Sequence, residues 1–201
     1  MDPFSSPNQP EAVLDFDLEN RPLSYLGQDW TSAEITAIAW SWYGADEVET
    51  LLLTANGTYK DQRGRKYPPV AAFALFSGVL AAADIVTGHY IRKHDLPILN
   101  SAFMENGLPP LPRLLVSDTQ QDLIRRKDLS ASQENLAALL ALPEPKHHMT
   151  QTEWREANRL FTNAKLNLSR TRVVGDVVQH KALRAELVRR GLLRSPRHWS
   201  S

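Results

Sequence analysis

The chain has 201 residues, no cysteine, and 23 basic against 23 acidic side chains, a formal net charge of zero. That length suits one large domain, or one domain with an appended hairpin, with a substantial core. The composition excludes a disulfide framework and a thiolate metal site, and the charge balance argues against a protein that coats polyanions indiscriminately. It leaves room for a nucleic-acid enzyme, in which an acidic site and a basic rim cancel. The longest apolar run, residues 70–83, is broken by Ser77 and Gly78 and falls short of a membrane span. The start, Met1-Asp2-Pro3-Phe4, lacks the basic and apolar regions of a signal peptide. A cytoplasmic protein with no membrane partner is expected.

Residues 1–11 are rich in Pro, Ser, Asn and Gln and read as a loose tail. Leu14 to Glu19 then alternates apolar and acidic side chains, the period-two signature of a strand with one buried face. Asp15, Asp17 and Glu19 fall on one face; Leu14, Phe16 and Leu18 fall on the other. Pro22 and Gly27 mark a loop, with Tyr25 and Trp30 as its anchors. Glu34 to Tyr43 is apolar on both faces, so it reads as a strand covered on both sides. Val48 to Ala55 reads as a third strand, and the three make an antiparallel meander. Residues 58–68 are polar and basic.

Pro68 and Pro69 open an apolar helix to about Ala83, since a helix's first turn tolerates proline. Ile85 to Tyr90 reads as a fourth strand. A helix from Lys93 or Asp95 ends at Gly107. Leu114 to Val116 is a short fifth strand. Ser132 precedes a helix carrying Leu136, Leu139, Leu140 and Leu142 at amphipathic spacing. Residues 143–150 form a loop with His147 and His148, and Thr152 to Phe161 forms a short helix. A last helix runs from about Ser169 to Arg190, stopped by Gly191. A meander followed by alternating helix and strand gives an α/β fold: a mixed sheet with helices on its faces.

Two divalent ions about 3.5–4 Å apart can clamp the attacking and leaving oxygens of a phosphate. Such hard cations take oxygen ligands, so several carboxylates must converge from rigid elements. Asp17 and Glu19, two apart on one strand face, qualify. Without a cation they repel each other. Asp95 follows the fourth strand, where a helix N-terminus also favours a carboxylate. Asp176 lies inside the last helix, where a solvated face would equally accept it. Asp84 and Asp118 compete, each beside a strand end. Asp15 is either a supporting group or exposed.

The set Phe16-Asp17-Leu18-Glu19, Gly88-His89-Tyr90 with Asp95, and Val173 with Asp176-Val177 resembles the three motifs of DEDD 3′–5′ exonucleases. These belong to the ribonuclease H-like superfamily. The resemblance spans roughly residues 12–190 and looks closest to small stand-alone exonuclease-like proteins of tailed phages, whose site of action would be the host cytoplasm. It implies a five-stranded mixed sheet of order 3-2-1-4-5 with one antiparallel strand, a single domain over 12–191 and a C-terminal tail over 192–201. It implies two Mg²⁺ or Mn²⁺ ions. Asp17 would touch both, Glu19 and Asp176 would complete one site, and Asp95 would hold the other partly through water. The product would be a nucleoside 5′-monophosphate.

Two departures stand out. The family places Tyr four residues before the last Asp, or His five before it, to orient the attacking water. Here those positions hold Arg172 and Thr171. Arg172 stays charged and is a poor base, but it suits a phosphate. His180, four residues beyond Asp176 on the same helical face, and His89 at a strand end are further candidates. Tyr90 stands where the family has an amide residue, and it is suited to stack on a base.

The expected function is a metal-dependent 3′–5′ exonuclease on single-stranded DNA or RNA, with catalytic residues Asp17, Glu19, Asp95, Asp176, Arg172 and His180. A replication polymerase is a candidate partner. Arg92, Lys93, Arg125, Arg126, Lys127, Arg170 and Arg172 either rim a strand-binding groove or, for at least half of them, form ordinary solvated surface. The alternatives are a non-catalytic binding module on the same fold and a structure-specific endonuclease.

Overall fold

The computed structural model describes residues 12–22, 33–124, 128–142, 149–159 and 162–200. The expected N-terminal tail, the anchors Tyr25 and Trp30, the basic residues 125–127 and the pair His147-His148 lie outside these. The sheet is eight-stranded rather than five-stranded, in the order β5-β4-β3-β2-β1-β6-β7-β8. Its strands are β1 (Val13–Pro22), β2 (Ala33–Trp42), β3 (Glu49–Leu53), β4 (Tyr59–Asp61), β5 (Lys66–Tyr67), β6 (Ile85–Gly88), β7 (Leu114–Asp118) and β8 (Arg197–Trp199).

The five expected strands form its centre in the expected order, with β2 antiparallel to both neighbours and β1, β6 and β7 parallel. The additions sit at the edges. The polar, basic stretch 58–68, to which the sequence assigns no element, folds as the β4–β5 hairpin, turning at Gly64 with φ 83°. The C-terminal segment, expected as a tail, adds β8 against β7.

Five helices accompany the described sheet: α1 (Pro69–Ala81), α2 (Asp95–Glu105), α3 (Gln133–Leu139), α4 (Gln151–Arg159) and α5 (Asn163–Arg189). Alternation along β1 decides which helix meets which face. Leu14, Phe16 and Leu18 enter the main core with Phe73, Phe76 and Leu80 of α1 and Leu96, Leu99 and Phe103 of α2. Phe76 lies between Phe16 and Trp40, with ring centroids 5.6 and 5.2 Å away.

The opposite face belongs to α5. There Ala37 and Ala39 of β2, beside Glu19 and Asp17 in register, pack with Leu52 of β3 and Val173 and Val177 of α5. Two alanines next to the acidic residues leave room for the helix backbone to approach. Helix α5 begins six residues before the expected Ser169, because Thr162 caps it by accepting from the Lys165 amide at 3.4 Å. No described helix is long and apolar enough to cross a membrane.

Candidate metal centre

A strand advances about 6.6 Å over two residues, and a helix about 6 Å over four. The acidic face of β1 and a four-residue stripe on α5 therefore stay in step. Running opposite ways, Glu19, Asp17 and Asp15 meet Arg172, Asp176, His180 and Arg184. Asp17, Glu19 and Asp176 each bring a carboxylate oxygen to within 4.8 Å of the others, so the three can hold a metal ion. The β1–β2 register slips immediately after Glu19, and the Thr36 hydroxyl donates to the Glu19 carbonyl at 3.1 Å. Such irregularities re-aim a strand's side chains.

Asp95 stands apart from this group of three. It opens α2, is buried, and its Oδ1 accepts the Leu18 amide at 3.2 Å, between Asp17 and Glu19 in sequence. Strand β6 ends at Gly88, so the edge of β1 facing it lacks a ladder partner at Leu18 and Asp95 supplies one. Its other oxygen lies 3.5 Å from His94 Nδ1, and that contact pushes the His94 ring above its ordinary pKa.

Arg172 reaches into the carboxylates. Its Nε is 3.4 Å from Glu19 Oε1 and its Nη2 is 3.1 Å from Asp176 Oδ2, while the guanidinium lies 5.7 Å from the Trp154 ring centroid. His180 is placed differently from Arg172: its Nδ1 is 3.0 Å from Asp15 Oδ1, beside the Arg184 fork. Asp15 is fully buried, so of its two expected placements it takes that of a supporting group. Burial pushes its carboxyl up, but the hydrogen bonds and charges of His180 and Arg184 outweigh that and hold it below the ordinary range.

The competing aspartates serve the backbone. Asp84 Oδ2 accepts the Ala12 amide at 2.9 Å. Asp118 accepts amides from Tyr90, Gln120 and Gln121 on one oxygen and from Arg92 on the other. Arg92, expected on a groove rim, has a side chain only 10% exposed and pairs with Asp122 at 2.5 Å. His89 Nδ1 lies 3.0 Å from the Thr119 hydroxyl. Tyr90 is partly exposed and held at φ 68°, a left-handed conformation rare for a bulky side chain.

Three residues near the centre are not among the expected site residues. Trp154 lies against Arg172. Gln133 donates to the Asp176 carbonyl at 3.0 Å and to Gln179 at 3.2 Å. Arg184 was detectable as the next member of the 172, 176, 180 series. Trp154 and Gln133 sit on other helices with no fixed spacing to Asp17 or Asp176, so the fold sets their contact with the centre.

The chain is therefore a mixed α/β domain, an open sheet flanked by helices with an acidic cluster between strand β1 and helix α5. Among solved structures it is similar to the family B DNA polymerase from the hyperthermophilic archaeon Pyrobaculum calidifontis, with TM-score 0.60 and 15% identity over 90% of this chain. The match covers 25% of the polymerase chain, so this chain spans a quarter of that protein's length. At this identity the likeness establishes the fold alone. No protein-family model matches the chain, and no curated protein does.

Proposed function

We propose that this protein is a ribonuclease H-like, metal-dependent nuclease that removes nucleotides from the 3′ ends of single-stranded DNA or RNA. One observation carries the reading: carboxylate oxygens of Asp17, Glu19 and Asp176 converge within 4.8 Å from a strand and a helix. An all-oxygen donor set on rigid elements fits a hard cation such as Mg²⁺ or Mn²⁺. The likeness to a DNA polymerase makes nucleic acid the natural substrate class.

Asp17, Glu19 and Asp176 would hold one ion, and Asp95, beside the Leu18 amide, would hold a second partly through water. Bound cations supply charge neutralisation at the scissile phosphate and an activated water. The chain's own groups do the rest. Arg172, whose planar fork suits an oxyanion, binds the scissile phosphate. The exposed Tyr90 ring offers a stacking surface for a base. Exposed Lys93 lies on the same turn as Tyr90. His180, through Asp15, positions α5 against β1.

The test is a 5′-labelled single-stranded oligonucleotide, as DNA and as RNA, incubated with Mg²⁺ or Mn²⁺. A ladder shortening from the 3′ end, absent with Asp17→Ala, supports the exonuclease. Cleavage of a circular single strand would turn the reading to an endonuclease. A second reading, a binding module without turnover, draws on Arg172: it stands where the family orients water and it already neutralises two of the carboxylates. Strand binding with intact substrate under both metals would favour it.

A further inference from the structure

Glu19 and Asp176 belong to the candidate cation site, yet both already face a cation of the protein's own. Arg172 Nε is 3.4 Å from Glu19 Oε1 and Nη2 is 3.1 Å from Asp176 Oδ2, so one guanidinium bridges a β1 carboxylate and an α5 carboxylate. Arg172 is well placed to stay there. Its side chain is 14% exposed and its guanidinium lies against the Trp154 ring at 5.7 Å. It also lies one helical turn before Asp176, so the backbone of α5 fixes both ends of that contact.

Arg172 occupies one oxygen of each carboxylate, Glu19 Oε1 and Asp176 Oδ2. The guanidinium charge also repels a divalent ion approaching the same oxygens. A cation therefore competes with Arg172 for Glu19 and Asp176, and a guanidinium leaves a carboxylate most readily for another oxyanion of matching geometry. The group at the centre that would suit it is a phosphate of the substrate.

We propose that Arg172 gates cation loading: it holds Glu19 and Asp176 in place of a metal and releases them when a phosphate takes its guanidinium. This rests on the nuclease reading of the same carboxylates. Phosphate and metal then bind cooperatively, and by linkage each tightens the other by the same factor. The charge of Arg172 thus sets the order of events at the site. A protein without substrate stays metal-poor, and a bound strand end recruits the ions.

The test measures Mn²⁺ affinity by titration calorimetry and by the Mn²⁺ paramagnetic resonance signal. It compares wild type, Arg172→Gln, Arg172→Lys and Asp17→Ala, each with and without thymidine 5′-monophosphate. Wild type should bind Mn²⁺ about tenfold more weakly than Arg172→Gln. The nucleotide should tighten Mn²⁺ binding about tenfold in wild type and much less in Arg172→Gln. Arg172→Lys, which keeps the charge but loses the fork, should fall between the two, and it carries the comparison if the glutamine variant does not fold.

Equal Mn²⁺ affinity in wild type and the Arg172 variants overturns the gate. If Asp17→Ala alone loses binding, the metal site itself stands. Tighter binding in Arg172→Gln with no effect of the nucleotide on wild type also overturns it, because the phosphate would not be the key. Binding no better than Asp17→Ala in every protein overturns the gate and the nuclease reading together.

Discussion

Arg184 grips Asp15 with both arms of its guanidinium, Nε to Oδ1 at 2.9 Å and Nη2 to Oδ2 at 2.8 Å, across 169 residues of chain. Both side chains are buried, at 5% and 0% exposure. The pair fastens the C-terminal part of α5 to the start of β1, two residues before Asp17 and eight after Asp176. It therefore fixes how the helix carboxylate meets the strand carboxylates. Removing one partner strands a buried charge, which costs about 3–5 kcal/mol. Arg184→Ala should destabilise by that order in urea unfolding. Replacing both partners with apolar residues of similar volume should restore most of the loss. A double replacement as unstable as Arg184→Ala would mean that the pair is not what holds these elements together.

The same carboxylate gives acid sensitivity of a definite sign. Asp15 is held below its ordinary 3.8 in the folded chain, because His180 and Arg184 outweigh the effect of burial. A carboxyl depressed by folding contributes stability that is fully present above the unfolded value and is lost as the pH falls through the folded one. Stability should therefore fall as the pH drops below about 4, and the fall should be shallower in Asp15→Asn. Unfolding free energies from pH 2 to 6 for both proteins check this; parallel curves would refute it.

Half of the candidate centre is legible without coordinates. The alternation of residues 14–19 puts Asp17 and Glu19 on one face because a strand has a period of two. Asp176 and Asp95 carry no such local signal; only the resemblance to a known motif set connects them to β1. The partners of Asp15 show a different limit. The four-residue series Arg172, Asp176, His180, Arg184 is visible, but which face of the sheet it meets depends on Ala37, Ala39, Val173 and Val177 packing together. The strands missed, β4, β5 and β8, have three, two and three residues, too few to show periodicity. They exist because a sheet edge offers unpaired backbone groups to whatever chain lies beside it.

Gly88 is where β6 turns away from β1 so that Asp95 can reach Leu18. A Cβ there would lie 2.2 Å from Ile91 Cγ2 and 2.8 Å from the Phe16 carbonyl oxygen. The carbonyl belongs to a central strand and cannot move aside. Overpacking of this kind costs about 1–3 kcal/mol or more, and Gly88→Ala should sit at the upper end. It should also loosen the turn that carries Tyr90 and Asp95. A variant that melts within a degree of wild type would contradict the close approach.

At the far edge, Trp199 tests whether β8 belongs to the domain. Its indole N–H donates to the Arg92 carbonyl at 3.2 Å and its ring packs on the main core. Trp199 pairs with Leu114 across the β7–β8 ladder. Fully buried tryptophan truncations cost about 3–5 kcal/mol, so a half-buried one should cost about 2 kcal/mol. Trp199→Ala should lower the denaturant midpoint accordingly. No change would mean that the strand is dispensable.

Divalent metal should stabilise the fold through Asp17, Glu19 and Asp176. A ligand at a hundred times its Kd adds about 2.7 kcal/mol to a protein that binds it only when folded. For a chain of this size that corresponds to roughly 5–10 °C in melting temperature. Saturating Mn²⁺ should raise the Tm of wild type by that amount, and EDTA should reverse it. Asp17→Asn should lose the shift. Asp84→Asn, altered at a carboxylate that binds the Ala12 amide, should keep it. A shift that survives Asp17→Asn would place the ion elsewhere. A shift lost in both variants would point to a general effect of acidic charge and not to a site between β1 and α5.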